Sequence, residues 1–281
     1  MRMRVRTSLV RVWAYASMAL VLAALVFLFG YVFWQGKDVI TWEFLSTAPS
    51  GSVLGSEGGI WPAIVGSLCF TLTAVVLGAI PAIATALYLV FYCRSRRLQS
   101  AIHLVIQNIA GIPSIVLGLF AYSLLVREFA WGRCVLSAGV ALAIMVLPFI
   151  EVRAEKAFRE LPDALVQSAC ALGCSKLYTI RTIVLPACRG ELVSGVILGA
   201  CYAMGATAPL MFTGGVAYAS LPASLTKPAM ALPLHLYLLL AQGTSMPQAY
   251  GTAFVLMVIV LVSNALATGY ARRRNRTWKQ P

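Results

Sequence analysis

Acidic side chains are scarce in this sequence: nine Asp and Glu stand among 281 residues, beside only two His. That scarcity removes most of the groups from which acid–base, nucleophilic or metal chemistry is built. No H-E-x-x-H, no G-x-S-x-G and no G-x-x-x-x-G-K-[ST] occurs, so a zinc-protease helix, an esterase elbow and a phosphate-cradling loop are all absent. Cysteines occur at 69, 93, 134, 170, 174, 188 and 201, but no C-x-x-C pair is among them. Cys170 and Cys174 flank Gly173, which interrupts any helix between them, and no His is near. Neither a disulfide framework nor a metal site is expected. His103 and His235 stand alone and are read as packed or interfacial. The chain is therefore expected to have no catalytic residue, no metal and no cofactor of its own.

Long uncharged runs are what the sequence has instead. Hydrophobic residues make up 60% and charged residues 11%, against about 25% charged in soluble domains. This is the composition of an integral membrane protein. A span needs about 20 apolar residues. Six transmembrane helices follow, placed at 12–36, within 58–93, 98–126, 134–150, 192–212 and 250–270. No helix core on this reading holds a charge, in keeping with a cost of about 2.5–3.5 kcal/mol for an Asp, Lys or Arg there.

Lys and Arg mark the cytoplasmic side. With the N-terminus inside, 18 of the 22 cations fall on cytoplasmic segments, leaving Lys37, Arg127, Arg133 and Lys227 outside. Both termini are expected to be cytoplasmic. The net charge of +13 is thus a topology signal spread over loops and tails, and nucleic acid is not an expected partner. The domain reading is a basic tail at 1–11, one transmembrane domain at 12–270 and a basic tail at 271–281. The first apolar run exceeds 20 residues and lacks an A-x-A site at its far end, so it is read as an uncleaved helix.

Local features refine the spans. Trp34, Trp42 and Trp61 suit a membrane interface, and Glu43-Phe44 can start a short surface helix. Pro81 should kink the second helix. Pro113 frees backbone groups in the third, as a simple kink or where the helix lines a pathway. Ser67 and Thr71 share a face. Gly195, Gly199 and Ala203 form a small-residue stripe that lets another helix approach, in this chain or in a partner.

The most informative loop is 163–188. Pro162 and Asp163 suit a helix start, Ala164 to Leu172 a short helix, and Gly173 a left-handed turn. Ser175 can cap a second helix through Val184, which Pro186 should end. The product is a helix-turn-helix, read either as a docking plug or as a surface hairpin without a partner.

These residues carry a resemblance. Gly173, nine residues, Ile183, one residue, then Leu185 and Pro186 resemble the EAA loop of ABC importer permeases, in which Gln167 and Ser168 replace the usual Glu and Ala while Ala169 matches. Further motifs are similar to the phosphate importer permeases of the PstA type: Gly58-Gly59-Ile60 with Pro62-Ala63-Ile64, Ala110-Gly111 with Pro113-Ser114-Ile115 and Gly118-Leu119-Phe120, and Gly205 through Thr213. The resemblance implies an all-α, six-helix, type I importer permease (MetI-like) fold in the cell inner membrane. It implies cytoplasmic ATP-binding subunits that carry the ATP, a second homologous permease and an extracytoplasmic phosphate-binding protein, with the lipid bilayer around them. The docking set it implies is Gln167, Ala169, Gly173, Ile183, Leu185 and Pro186. The expected pathway set is Thr71, Ser114, Tyr202, Ala206 and Thr207. Tyr202 and Ala206 stand where the family usually has Arg and Glu, which leaves room for another oxyanion, a small organic solute, or a membrane scaffold that signals without transporting.

Overall fold

The computed structural model describes residues 2–51 and 53–278. The tail position Met1, and residues 279–281 with the last cation, Lys279, lie outside the described residues. Helix α1 spans Arg2–Gly36 and α2 is the short Trp42–Ser46, capped by the Thr41 hydroxyl. Two short strands follow, β1 at Pro49–Ser50 and β2 at Glu57–Gly58, paired antiparallel. Helix α3 (Trp61–Leu87) begins with Pro62 in its first turn, where the missing N–H costs nothing, and ends in a π-helical turn at Tyr88–Tyr92.

Helices α4 (Arg96–Gly111) and α5 (Ser114–Ala121, extended by a π-helical stretch to Glu128) come next, then α6 (Val135–Arg159). The loop region forms α7 (Asp163–Ala171) and α8 (Lys176–Thr179), and a π-helical turn at Ile180–Val184 leads into α9 (Leu185–Met204). The chain closes with α10 (Ala208–Thr213), α11 (Leu232–Gln242) and α12 (Met246–Trp278). Among the described residues five helices are long and apolar enough to cross a membrane, and a sixth crossing results when α4 and α5 count as one bent span.

The core forms where α3, α6 and α9 meet, around Phe70, Leu142, Val146, Ile150 and Leu210. Glycines let the backbones approach. A Cβ on Gly78 would lie 3.0 Å from the Ala143 carbonyl oxygen, and one on Gly139 would overlap the Thr73 side chain. On α9 the small-residue stripe is used within the chain, since a Cβ on Gly199 would come to 2.9 Å from Ile150 Cγ1. Helix α1 packs along α12 through Phe33 and Phe254, whose rings are 5.0 Å apart, and keeps residues such as Phe27 exposed.

Four sequence expectations are revised. The third helix is not one straight rod, because α4 and α5 meet at 98° across Ile112 and Pro113. The fifth helix does not run over 192–212: it is continuous from Lys176 to Met204, and α10 is a separate turn beyond it. Pro186 accordingly ends nothing. The π-helical turn just before it widens the coil and relieves the clash of its ring with the preceding turn. Finally, α6 continues past Ile150 to Arg159 and carries Glu151 fully buried, with neither carboxyl oxygen bonded to another described residue. Glu151 thus opens the charged end of α6, one residue beyond the uncharged run.

Two substitutions test this packing. Gly66 faces the Met230 carbonyl so closely that a Cβ would overlap it. Gly66→Ala is expected to cost about 1–3 kcal/mol and to lower the unfolding temperature in detergent by several degrees, whereas Gly111→Ala, with nothing within 4 Å, should leave it unchanged.

Candidate functional site

Two regions gather the residues of interest. In the first, α7 and α8 make a hairpin at the end of the bundle where α3 and α6 finish. Pro162 precedes the first residue of α7, and Gly173 takes φ +82°, the left-handed conformation that closes the turn. The Gly173 N–H bonds to the Cys170 carbonyl at 3.0 Å and the Cys174 N–H to the Ala169 carbonyl at 3.1 Å. The Ser175 hydroxyl then accepts the Tyr178 N–H at 3.3 Å and starts α8. At the tip Leu172 is 85% exposed, an apolar side chain held out on a rigid turn.

The hairpin is fastened at its base. The Lys176 ammonium donates to the Phe91 carbonyl and lies 4.5 Å above the Tyr92 ring, both in the last turn of the α3 coil. Ile180 and Val184 are buried, Val184 against Ala86 and Phe158. The six expected docking residues therefore separate. Gln167 and Gly173 are exposed, and Gln167 borders a pocket of about 400 Å³ that Phe91 and Phe158 also line. Ala169 is buried behind the turn. Ile183, Leu185 and Pro186 lie on the coil that enters the bundle, half-buried.

The second region is the face formed by α5, α9 and α10. Gly118 lets α10 lie against α5, since a Cβ there would meet Pro209 Cα at 2.9 Å. Ser114 is exposed at the start of α5. Tyr202 is 46% exposed, with its ring 4.4 Å from that of Phe149. Ala206 and Thr207 occupy the break between α9 and α10, where Ala206 packs on the core. Thr71 is elsewhere: it is buried on α3, one turn after Ser67, whose hydroxyl accepts the Leu232 N–H at 2.8 Å. Its own hydroxyl has no hydrogen-bond partner among the described residues.

Some positioning groups gave no signal in the sequence. Arg133 donates to the Met211 and Gly215 carbonyls, each at 2.7 Å, and so holds the end of α10 to the start of α6. His103 does not stand alone: its Nε2 is 3.0 Å from the Glu155 carboxylate, which Arg159 also holds at 2.6 Å, so α4 is tied to α6. His235 is buried without a partner among the described residues. The four-residue spacing of Glu155 and Arg159 is the signal of a helical ion pair that an end of the helix at 150 leaves unread; the arrival of His103 from another helix has no such signal.

Residues 74–276 match the family described as binding-protein-dependent transport system inner membrane component. The chain is 30% identical to the phosphate transport system permease protein PstA 1 of Mycobacterium tuberculosis, over 98% of this chain and 92% of that one. It is 32% identical to the probable phosphate transport system permease protein PstA of Methanocaldococcus jannaschii, over 73% of each. It is 28% identical to the probable ABC transporter permease protein YqgI of Bacillus subtilis, over 89% of each. Its fold is similar to a chain of a bacterial ABC transporter involved in the import of alginate, with TM-score 0.60, 16% identity, and coverage of 96% and 99%. A chain of the inward-facing MetNI methionine ABC transporter gives TM-score 0.59 at 17% identity, covering 77% of this chain and 94% of that one.

The hairpin geometry predicts a graded response at its turn. Gly173→Val places a β-branched residue in the left-handed region, at about 1–2 kcal/mol, whereas Gly173→Asn is better tolerated. Hydrogen exchange should show faster exchange across residues 163–176 in the Val variant and near-normal protection in the Asn variant, with α6 unchanged in both.

Proposed function

Because the chain belongs to the family of binding-protein-dependent transport system inner membrane components, we propose that it forms one half of the membrane pathway of an ATP-driven importer of inorganic phosphate. That it is a multi-pass membrane component of a binding-protein-dependent transport system follows from the family and its apolar helices. The cargo reading is carried by the near full-length similarity to a phosphate permease. In this reading the 163–188 hairpin docks on a cytoplasmic ATP-binding subunit, both termini are cytoplasmic, and ATP is bound and hydrolysed on that partner. An extracytoplasmic phosphate-binding protein delivers the substrate.

The rest of the pathway would come from a second, homologous permease. Ile115, Val116, Leu119 and Phe120 of α5 are about half exposed, an apolar face that a partner helix can cover. At the start of α5 and around the break between α9 and α10 this chain supplies the neutral groups Ser114, Tyr202 and Thr207, while its Arg133 at the far end of α10 is engaged by the Met211 and Gly215 carbonyls. A guanidinium is the side chain best matched to a tetrahedral oxyanion, so the cation would come from the partner. Tyr202 and Ala206 also support a second reading, a permease for another oxyanion or small solute, or a scaffold for phosphate signalling.

The test is ATP-dependent uptake of labelled phosphate by membrane vesicles holding this chain with the products of neighbouring genes. The wild type should accumulate phosphate, and Gly173→Val should bring uptake to background while the protein stays in the membrane. An assembled complex that hydrolyses ATP without moving phosphate would overturn the cargo assignment. Full uptake by the Val variant would overturn the docking role of the hairpin.

A further inference from the structure

The coil that runs from the hairpin into the bundle carries a pocket that the candidate pathway does not use and that shares Leu185 and Pro186 with the expected docking set. Arg181 and Arg189, both exposed, open onto this space of about 410 Å³, whose remaining wall is apolar, with Leu185, Pro186, Leu192, Val193 and Val196 from α9 and Ile83 from α3. No carboxylate is among its lining residues. From Leu185 to Val196 the residues recur at helical spacing, with Arg181 one π-helical turn ahead of them, so both cations lie toward the hairpin, Leu185 and Pro186 sit between them, and hydrocarbon alone continues beyond Arg189. The stripe is also separate from the candidate pathway. On an ideal helix Tyr202 points about 140° away from Arg189.

We propose that this pocket binds an anionic phospholipid of the leaflet facing the hairpin. The two guanidinium groups receive its phosphate, and its acyl chains lie along Leu192, Val193, Val196 and Ile83. Guanidinium forks suit a phosphodiester oxygen pair, and basic pockets between transmembrane helices on the cytoplasmic side are where acidic headgroups lodge. Isolated arginines at a membrane border would only extend their heads toward water. Here the cations share one concavity with an apolar floor, a combination that fits an amphiphile better than a free anion. A soluble ATP-binding subunit reaches the hairpin tip at Leu172, but the floor of the pocket continues into the span and is open to lipid. The inference uses the membrane setting and the proposed orientation, and is independent of the cargo.

Native mass spectrometry of the assembled complex in detergent tests it, with phosphatidylglycerol and phosphatidylcholine as probes. A tightly retained phosphatidylglycerol is expected, and phosphatidylcholine should be lost readily. Each surface cation strengthens acidic-lipid binding about fivefold, so Arg181→Gln with Arg189→Gln should weaken that retention by about 30-fold. Arg94→Gln with Arg97→Gln, at the same end but outside the pocket, should change it little. Val193→Trp, which keeps both cations and fills the floor, should also weaken it. Equal retention of the two lipids by the wild type would overturn the proposal, as would unchanged retention in the Arg181/Arg189 variant. Equal loss in the control variant would do the same, since it would make the effect a general one of charge. Displacement of the lipid by glycerol phosphate at equal concentration would show a site for a free anion, and would overturn it as well.

Discussion

The close approach of α3 and α6 is the constraint on which the other placements depend. Lipid tails are as apolar as leucine, so helices in a bilayer associate by contact and complementarity more than by escape from water. Gly78 and Gly139 supply the missing bulk on the two helices, and Phe70, Leu142 and Val146 fill the space beside them. Once these two helices are in register, α9 can be laid against α6 by Gly199, beside Val146 and Ile150. The extended segment at Ala229 to Ala231 can then pass over Gly66 and be pinned by Ser67.

Backbone that leaves the regular helix at membrane depth must find new partners. The breaks here do so by local means. Tyr88–Tyr92, Tyr122–Glu128 and Ile180–Val184 are π-helical, which keeps the carbonyls bonded while changing the phase of the side chains. Beyond α10 the Arg133 guanidinium takes two carbonyls at once, and the Gly214 carbonyl is bonded by the Ala229 N–H. The hairpin base and the far ends of α5 and α10 are thus built from interruptions whose backbone groups find local partners.

Much of this was legible in the sequence, and the reasons differ by element. The apolar spans followed from charge-free runs because the cost of a charge in hydrocarbon is large. The Ser175-capped start of α8 and the turn at Gly173 followed from local chemistry, since a cap and a left-handed residue need only their neighbours. The 98° bend was half legible: Pro113 announces a break, but its angle depends on α4 meeting α6 through His103 and Glu155, a contact between residues 52 apart. The end of α6 was misread because a charge was taken as a boundary, and Glu151 shows that a buried carboxyl can sit inside a continuous helix. Of the candidate site, the exposed turn was readable, whereas the removal of Thr71 to the interior depended on how α3 rotates against its neighbours.

The fastening of the hairpin has a mechanical meaning. One foot is continuous with α6 through Pro162, and the other is gripped by Lys176 at the Phe91 carbonyl and the Tyr92 ring of α3. A plug held at a single foot would swivel under load and dissipate it in the turn. Held at two, and running on without a break into α9, it can be displaced as one piece only when the ends of α3, α6 and α9 travel with it, and those are the helices brought together by their glycines. A push on Leu172 is therefore delivered as torque to the centre of the bundle, with the hairpin as the handle.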